Sequence, residues 1–258
     1  MSNKPNAIVF FDLDGTLLNS NVDVCQSSID AIKQLIDNNI TPILATGRTV
    51  CEVRHIMDKT AIESIVAMNG QFVSYQGEKV FENNIDPQLI DEVFAFSQQQ
   101  NMPISFYNHE IMRVSEHNSA TEDLYHYLSQ AVPPVDKQIY KTTFIQMILL
   151  LCRQGEEAYV DRFPSLNFIR NTPYCVDVFN RGGSKAFGIE KLIENKGFSD
   201  VPTYAFGDGD NDIEMFEWVD HPIAMGNAKE KLKQLATFVT DDNNHHGIAN
   251  GLKWAGLI

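Results

Sequence analysis

Two aspartates two residues apart, Asp12 and Asp14, follow the apolar run Ala7-Ile8-Val9-Phe10-Phe11 and precede Gly15-Thr16. A strand repeats every two residues, so both carboxylates start on the same side of the chain. Gly15 lets the backbone turn sharply beside a ligand. A second acidic segment, Gly207-Asp208-Gly209-Asp210-Asn211-Asp212, follows the apolar run 203–206. Thr46-Gly47-Arg48 follows a third run, 41–45. Clustered carboxylates hold a hard cation. A threonine hydroxyl and the amide beside a glycine donate to phosphate oxygens at a helix N-terminus. Lys185 comes after Gly182-Gly183-Ser184 and opens a helical pattern carrying Ile189, Leu192 and Ile193. A lysine on a first helical turn opposes the helix dipole, so its charge calls for an anionic partner. Cation-holding and phosphate-holding groups together point to metal-assisted phosphoryl transfer.

Each motif also has a plainer reading. Asp-x-Asp-Gly ends many strands, Thr46 can serve as a helix cap, and Arg48 can simply pair with an acidic neighbour. The segment from Asp208 superficially resembles a calcium loop. That loop needs glycine at its sixth place and glutamate at its twelfth, where this chain has Ile213 and Val219.

The elements that must position these residues can be read from the apolar pattern. Residues 7–11, 41–45 and 65–68 read as buried strands, with helices at 22–37 and from 49 to about 58 between them. Strand, helix, strand, helix, strand implies right-handed crossovers and a parallel sheet. The pattern returns late, with a helix at 184–195, a strand at 203–206, helices at 211–219 and 228–236, and a strand at 238–240. Between them, 71–82 reads as a hairpin turning at Gln76-Gly77, and Asp86-Pro87 opens a helix. Strand runs near 104–107, 111–115, 144–151, 168 and 176, with helices near 120–128 and 156–163, suggest an antiparallel sheet with helices on one face. The expected fold is therefore α/β: a doubly wound parallel-sheet (Rossmann-like) core, residues 1–83 and 182–258, with an inserted α+β domain, residues 84–181.

The chain has 258 residues, 43% of them apolar and 21% charged, and a net charge of −14. A surface this acidic repels nucleic-acid backbones and anionic lipid, so neither is expected as a partner. A small phosphorylated molecule is still admissible, because a cation and a lysine reverse the sign locally. The four cysteines, Cys25, Cys51, Cys152 and Cys175, have no Cys-x-x-Cys spacing and read as reduced thiols. The N-terminal apolar run is too short for a signal peptide or a membrane span, so the expected location is cytoplasmic.

In order along the chain, Asp12-Leu13-Asp14-Gly15-Thr16, Thr46, Lys185 and Gly207-Asp208 through Asp212 resemble the four motifs of the haloacid-dehalogenase-like superfamily. Thr46-Gly47-Arg48, Asn69-Gly70 and Asn211-Asp212 resemble its Cof-like subfamily. The resemblance implies that Asp12 is a nucleophile forming an aspartyl-phosphate and Asp14 the general acid and base. It implies Leu13, Thr46, Gly47, Lys185 and Asn211 as the phosphate-holding set. It implies Asp12, Asp14 and Asp208 at a magnesium ion, Mg2+, with Asp212 behind them. It also implies a large mobile cap, here 84–181, that carries substrate selectivity.

The expected function is a magnesium-dependent phosphatase for small phosphorylated metabolites such as sugar or cofactor phosphates, acting as a monomer or weak homodimer. A phosphomutase shares the same core residues. A non-catalytic metal- or phosphate-binding protein is disfavoured, because nucleophile, acid and metal ligand are all present. His109, His117, His126, Tyr107 and Tyr125 fall in the insert, and His245-His246 near the C-terminus has no evident third ligand for a metal.

Overall fold

A computed structural model of the chain describes residues 4–258. The elements run β1 (Ala7–Phe11), α1 (Gln26–Asp37), β2 (Ile40–Ala45), α2 (Val50–Thr60), β3 (Ser64–Ala67), β4 (Phe72–Tyr75) and β5 (Glu78–Glu82). Then come α3 (Pro87–Gln99), β6 (Ile104–Tyr107), β7 (Met112–Val114), α4 (Ser119–Tyr127), β8 (Met147–Leu150), α5 (Glu157–Arg162), β9 (Leu166–Ile169) and β10 (Val176–Asn180). The chain closes with α6 (Lys185–Lys196), β11 (Thr203–Gly207), α7 (Ile213–Trp218), β12 (His221–Ala224), α8 (Glu230–Leu235), β13 (Phe238–Val239) and α9 (Gly247–Trp254). Two compact units divide it: the residues up to Phe81 with Ser184–Ile258, and Glu82–Gly183.

The first unit is a mixed α/β fold on one sheet, ordered β13-β12-β11-β1-β2-β3-β4-β5. The strands from β13 to β3 are parallel, and β4 is antiparallel to β3. Successive strands step outward from β1 through β2 to β3, then return on its other side as β11, β12 and β13. The winding therefore reverses between β1 and β11, and crevices for ligands open beyond the carboxyl ends of strands at such a point. Burial explains why β1 lies at the centre: Ile8, Val9, Phe10 and Phe11 are all fully buried, and Phe11 stacks on Phe206 with ring centroids 5.3 Å apart. A strand covered on both faces needs an unbroken apolar run, which this one has.

The second unit carries a five-stranded antiparallel sheet, ordered β7-β6-β8-β10-β9. Ile104, Phe106, Ile148, Leu150, Val176 and Val178 face a core completed by Ile90 and Val93 of α3 and Tyr159 of α5. Asp86 caps α3, its Oδ1 accepting from the Gln88 amide at 2.9 Å, with proline at the first turn. The alternate residues Ser105 and Tyr107 point to the opposite face. There Tyr125 of α4 bonds to both, each at 2.9 Å. Helices thus serve both faces, where the strand pattern suggested one.

The structure also differs from the apolar pattern elsewhere. The helix expected over 211–219 begins as a single tight 3-10 turn, Asp210–Asp212, before α7. The run expected over 144–151 pairs only as β8, and Phe144 is 66% exposed. Strand β12 leaves little signal in the sequence, being short and containing Pro222, which lacks the N–H a ladder uses. Helix α9 forms against local propensity, since it contains Gly247 and Gly251, poor helix formers. Gly251 is there for packing: a Cβ on it would lie 2.5 Å from the Phe206 ring. Among the described residues, no helix is long and apolar enough to cross a membrane.

Candidate active site

Asp12 follows directly on β1, and its amide donates to the Phe206 carbonyl of β11 at 3.0 Å. This seats the first acidic motif against the end of the second. Gly15 turns with a φ of +80°, and a Cβ there would collide with the Asp208 carboxylate. Only glycine permits both the turn and that approach. Asp12, Asp208 and Asp212 each bring a carboxylate oxygen to within 4.8 Å of the others. Thr16 Oγ1 donates to Asp208 at 3.4 Å. Asp212 is fully buried, its Oδ2 accepting from the amides of Asp208 and Gly209, both at 3.0 Å.

Lys185, the first residue of α6, reaches the cluster from the side. Its Nζ lies 2.5 Å from Asp12 Oδ1 and 2.7 Å from Asp212 Oδ1. The side chain is wholly buried. Burial opposes its charge, but Asp12 and Asp212 outweigh that and hold its pKa above the ordinary value. Burial, then the nearby Asp212, pushes the Asp12 carboxyl up to about 8, with Lys185 pulling the other way. The same two causes push Asp208 up to about 6.

Three carboxylates face one ammonium, leaving an excess of negative charge in a buried place. All-oxygen donors with that charge fit a divalent hard cation. Asp12, Asp208 and Asp212 are the side chains able to hold it. The Asp14 carboxylate, expected in this set, is not in the cluster. It is exposed and gripped by Arg48, with Nε to Oδ2 at 2.9 Å and the second nitrogen to Oδ1 at 2.5 Å. The two motif aspartates do not share a side: the chain is extended at Asp12 but enters a helical turn at Leu13, so the two-residue alternation does not carry through to Asp14.

The remaining expected residues fall as follows. Leu13 and Thr46 are buried, at 0% and 1% exposure. Thr46 Oγ1 accepts from the Arg48 amide at 3.1 Å. Thr46 is not the cap of α2; Thr49 is, in a capping box with Glu52. Gly47 lies against Asn69, whose amide atoms stand 3.4 Å from where a Cβ would be. Asn211 is exposed in the turn beside Gly209. Outside the cluster, His245 pairs with Asp242 and His246 with Ser27 Oγ, each at 2.8 Å.

Of two further contributors, Asn227 carries no sequence signal of its own, whereas Asn69-Gly70 belongs to the segments that resemble the Cof-like subfamily. Asn227 Nδ2, just past the end of β12, donates to the Gly15 carbonyl at 2.8 Å. Met68, Asn69 and Gly70 form a left-handed turn with φ values of 51°, 51° and 83°. Non-glycine residues held there cost on the order of 1–3 kcal/mol each. The turn abuts α6: a Cβ on Gly70 would collide with the Ser184 carbonyl, and one on Gly188 would lie 2.7 Å from Gly70 Cα. Two glycines therefore let α6 dock close enough for Lys185 to reach Asp12.

The family model for haloacid dehalogenase-like hydrolases matches residues 9–252. The chain belongs to this family. Among its relatives is YkrA of Bacillus subtilis (strain 168), whose name proposes a phosphatase; it is 33% identical over 97% of this chain and 98% of its own. A crystal structure from Geobacillus kaustophilus HTA426 superposes with a TM-score of 0.92 at 36% identity, covering 98% of this chain and all of that one. The subclass IIB sugar phosphatase BT4131 superposes with a TM-score of 0.83 at 26% identity, covering 98% and 100%. This haloacid dehalogenase-like hydrolase stands among the phosphatases of its family. Enzymes of this kind use a divalent metal, in keeping with its acidic cluster.

Proposed function

We propose that this hydrolase is a magnesium-dependent phosphatase of small phosphorylated metabolites, sugar phosphates being the first class to test. The observation that carries the reading is the convergence of Asp12, Asp208, Asp212 and Lys185 at the carboxyl ends of β1 and β11. The sugar phosphatase BT4131 supports the substrate class.

Asp12 is the nucleophile in this reading. Its carboxylate attacks phosphorus, an oxygen–phosphorus bond forms, and the bond to the leaving alcohol breaks. Asp14 gives its proton to the departing oxygen, then removes one from the water that attacks the aspartyl-phosphate and frees inorganic phosphate. Such proton transfer contributes about 10²–10⁴-fold. The Arg48 fork must open for Asp14 to act, because the guanidinium occupies both of its carboxylate oxygens. Leu13, Thr46, Gly47, Lys185 and Asn211 hold the phosphoryl oxygens. Asp12, Asp208 and Asp212 would hold magnesium, which offsets the repulsion between anionic nucleophile and anionic substrate. The unit Glu82–Gly183 carries substrate selectivity, and Gly182, left-handed in open space, serves as a hinge in its returning connection.

The test is a panel of phosphorylated metabolites assayed for released phosphate, with acid-quench trapping of the phospho-enzyme. Wild type should turn over and label. Asp12→Asn should do neither while staying folded, and Asp14→Asn should label slowly. Conversion of a sugar phosphate to its isomer without phosphate release would replace this reading with a mutase.

A further inference from the structure

Asn69 is 2% exposed, and its Nδ2 is buried with no hydrogen-bond partner. A buried amide donor left unpaired is rare and calls for a reason. Nothing in the turn itself supplies one. Asparagine tolerates the left-handed backbone found here, but glycine would serve that purpose better and leave no donor stranded.

The location supplies the reason. The Asn69 backbone is laced to the phosphate-holding turn: its amide donates to the Thr46 carbonyl at 3.1 Å, and the Met68 amide donates to the Arg48 carbonyl at 3.0 Å. The side-chain nitrogen and oxygen stand equally far, 3.4 Å, from the Cβ that Gly47 lacks. Cγ is farther off, at 3.7 Å, so the amide presents its polar edge to the space beside Gly47. On its other side the same turn touches the start of α6, which carries Lys185. Asn69 thus sits between the two groups that the phosphatase reading assigns to the phosphate.

We propose that Asn69 is a further phosphate-positioning residue, its side-chain amide donating to the phosphoryl group held at Thr46-Gly47. This rests on that phosphatase reading. The terminal torsion of asparagine is broad and roughly two-fold, so a half-turn exchanges its two ends without moving the backbone. An anion, which only accepts, selects the nitrogen end. A hydrogen bond to a charged acceptor is among the stronger ones, so its loss should weaken phosphate binding about 10- to 100-fold.

The experiment compares wild type, Asn69→Gly and Asn69→Asp, each as the full magnesium-loaded chain. Calorimetry measures the Kd for inorganic phosphate, p-nitrophenyl phosphate gives kcat and KM, and thermal melts check folding. Asn69→Gly keeps the left-handed turn and removes the donor; its Kd should rise about tenfold or more with the melt near wild type. Asn69→Asp keeps the shape and faces the anion with a charge, so its Kd should rise further. Two folded variants binding phosphate within twofold of wild type would overturn the inference. So would a loss in Asn69→Gly that Asn69→Asp fully restores, which would assign the residue to shaping the turn. A wild-type protein that neither binds nor releases phosphate would instead overturn the phosphatase reading beneath it.

Discussion

Lys185 and Asp12, 173 residues apart in the chain, meet at 2.5 Å in a place solvent does not reach. Removing one partner of a buried pair leaves an uncompensated charge and typically costs about 3–5 kcal/mol. Here Asp212 would be stranded as well. Lys185→Met should therefore destabilise the metal-free protein by about that amount in urea unfolding at neutral pH. It should also lower turnover by about 10²–10³-fold, as a charge-stabilising donor is lost. A stable, active Lys185→Met protein would show that the ammonium is dispensable.

Magnesium should stabilise the protein as well as activate it. The three carboxylates within 4.8 Å of one another bring more negative charge than the Lys185 ammonium offsets, and a divalent cation relieves the remainder. A ligand at a hundred times its Kd adds about 2.7 kcal/mol to folding stability. The melting temperature should rise with magnesium and fall back with excess chelator, along with activity. Asp208→Asn should lose most of that thermal response. An Asp208→Asn protein with the full magnesium shift would place the cation elsewhere.

Glycine substitutions should separate into two classes. Gly70→Ala forces a Cβ into the Ser184 carbonyl at a φ of +83°. It should destabilise strongly and lower activity by displacing α6 and Lys185. Gly77→Ala has a similar φ of +77° but nothing within 4 Å. Its cost is backbone strain alone, about 1–2 kcal/mol, with activity kept. Equal effects in denaturant melts and assays would refute the close docking of α6 as the reason for Gly70.

Acid should loosen the second unit partly through Glu156. Hydrogen bonds from Arg170, at 2.6 Å to each carboxylate oxygen, hold its carboxyl below the ordinary value. A depressed folded pKa contributes stability above the unfolded value of 4.5 and loses it as pH falls through the folded one. The melting temperature of wild type should therefore drop below about pH 4.5 more steeply than that of Arg170→Met. Parallel pH profiles for the two proteins would remove this pair from the acid response.

Much of the site was legible because its chemistry sits at strand ends. The unbroken run of β1 marked a central strand, and Asp12 had to emerge at its carboxyl end. The same logic placed Thr46 after β2 and Asp208 after β11, and the alternation of strands and helices sufficed for the parallel sheet. The sequence by itself thus determined which residue types gather at one edge, since local hydrophobic pattern sets where each strand stops.

Only the tertiary structure decided which carboxylates meet. Asp12 and Asp14 look equivalent at a two-residue spacing, yet the turn that opens at Leu13 sends Asp14 to Arg48 and leaves Asp212 to join Asp12 and Asp208. Lys185 called for an anionic partner, but which one was decided by the Gly70–Gly188 contact, which brings α6 inward to Asp12 and Asp212. Asn69 and Asn227 gain their places from neighbours far along the chain, Asn227 from a turn 212 residues away. The physical reason is one of range. Periodicity records what each segment buries, whereas pairing of buried charges and donors depends on where the other segments come to rest.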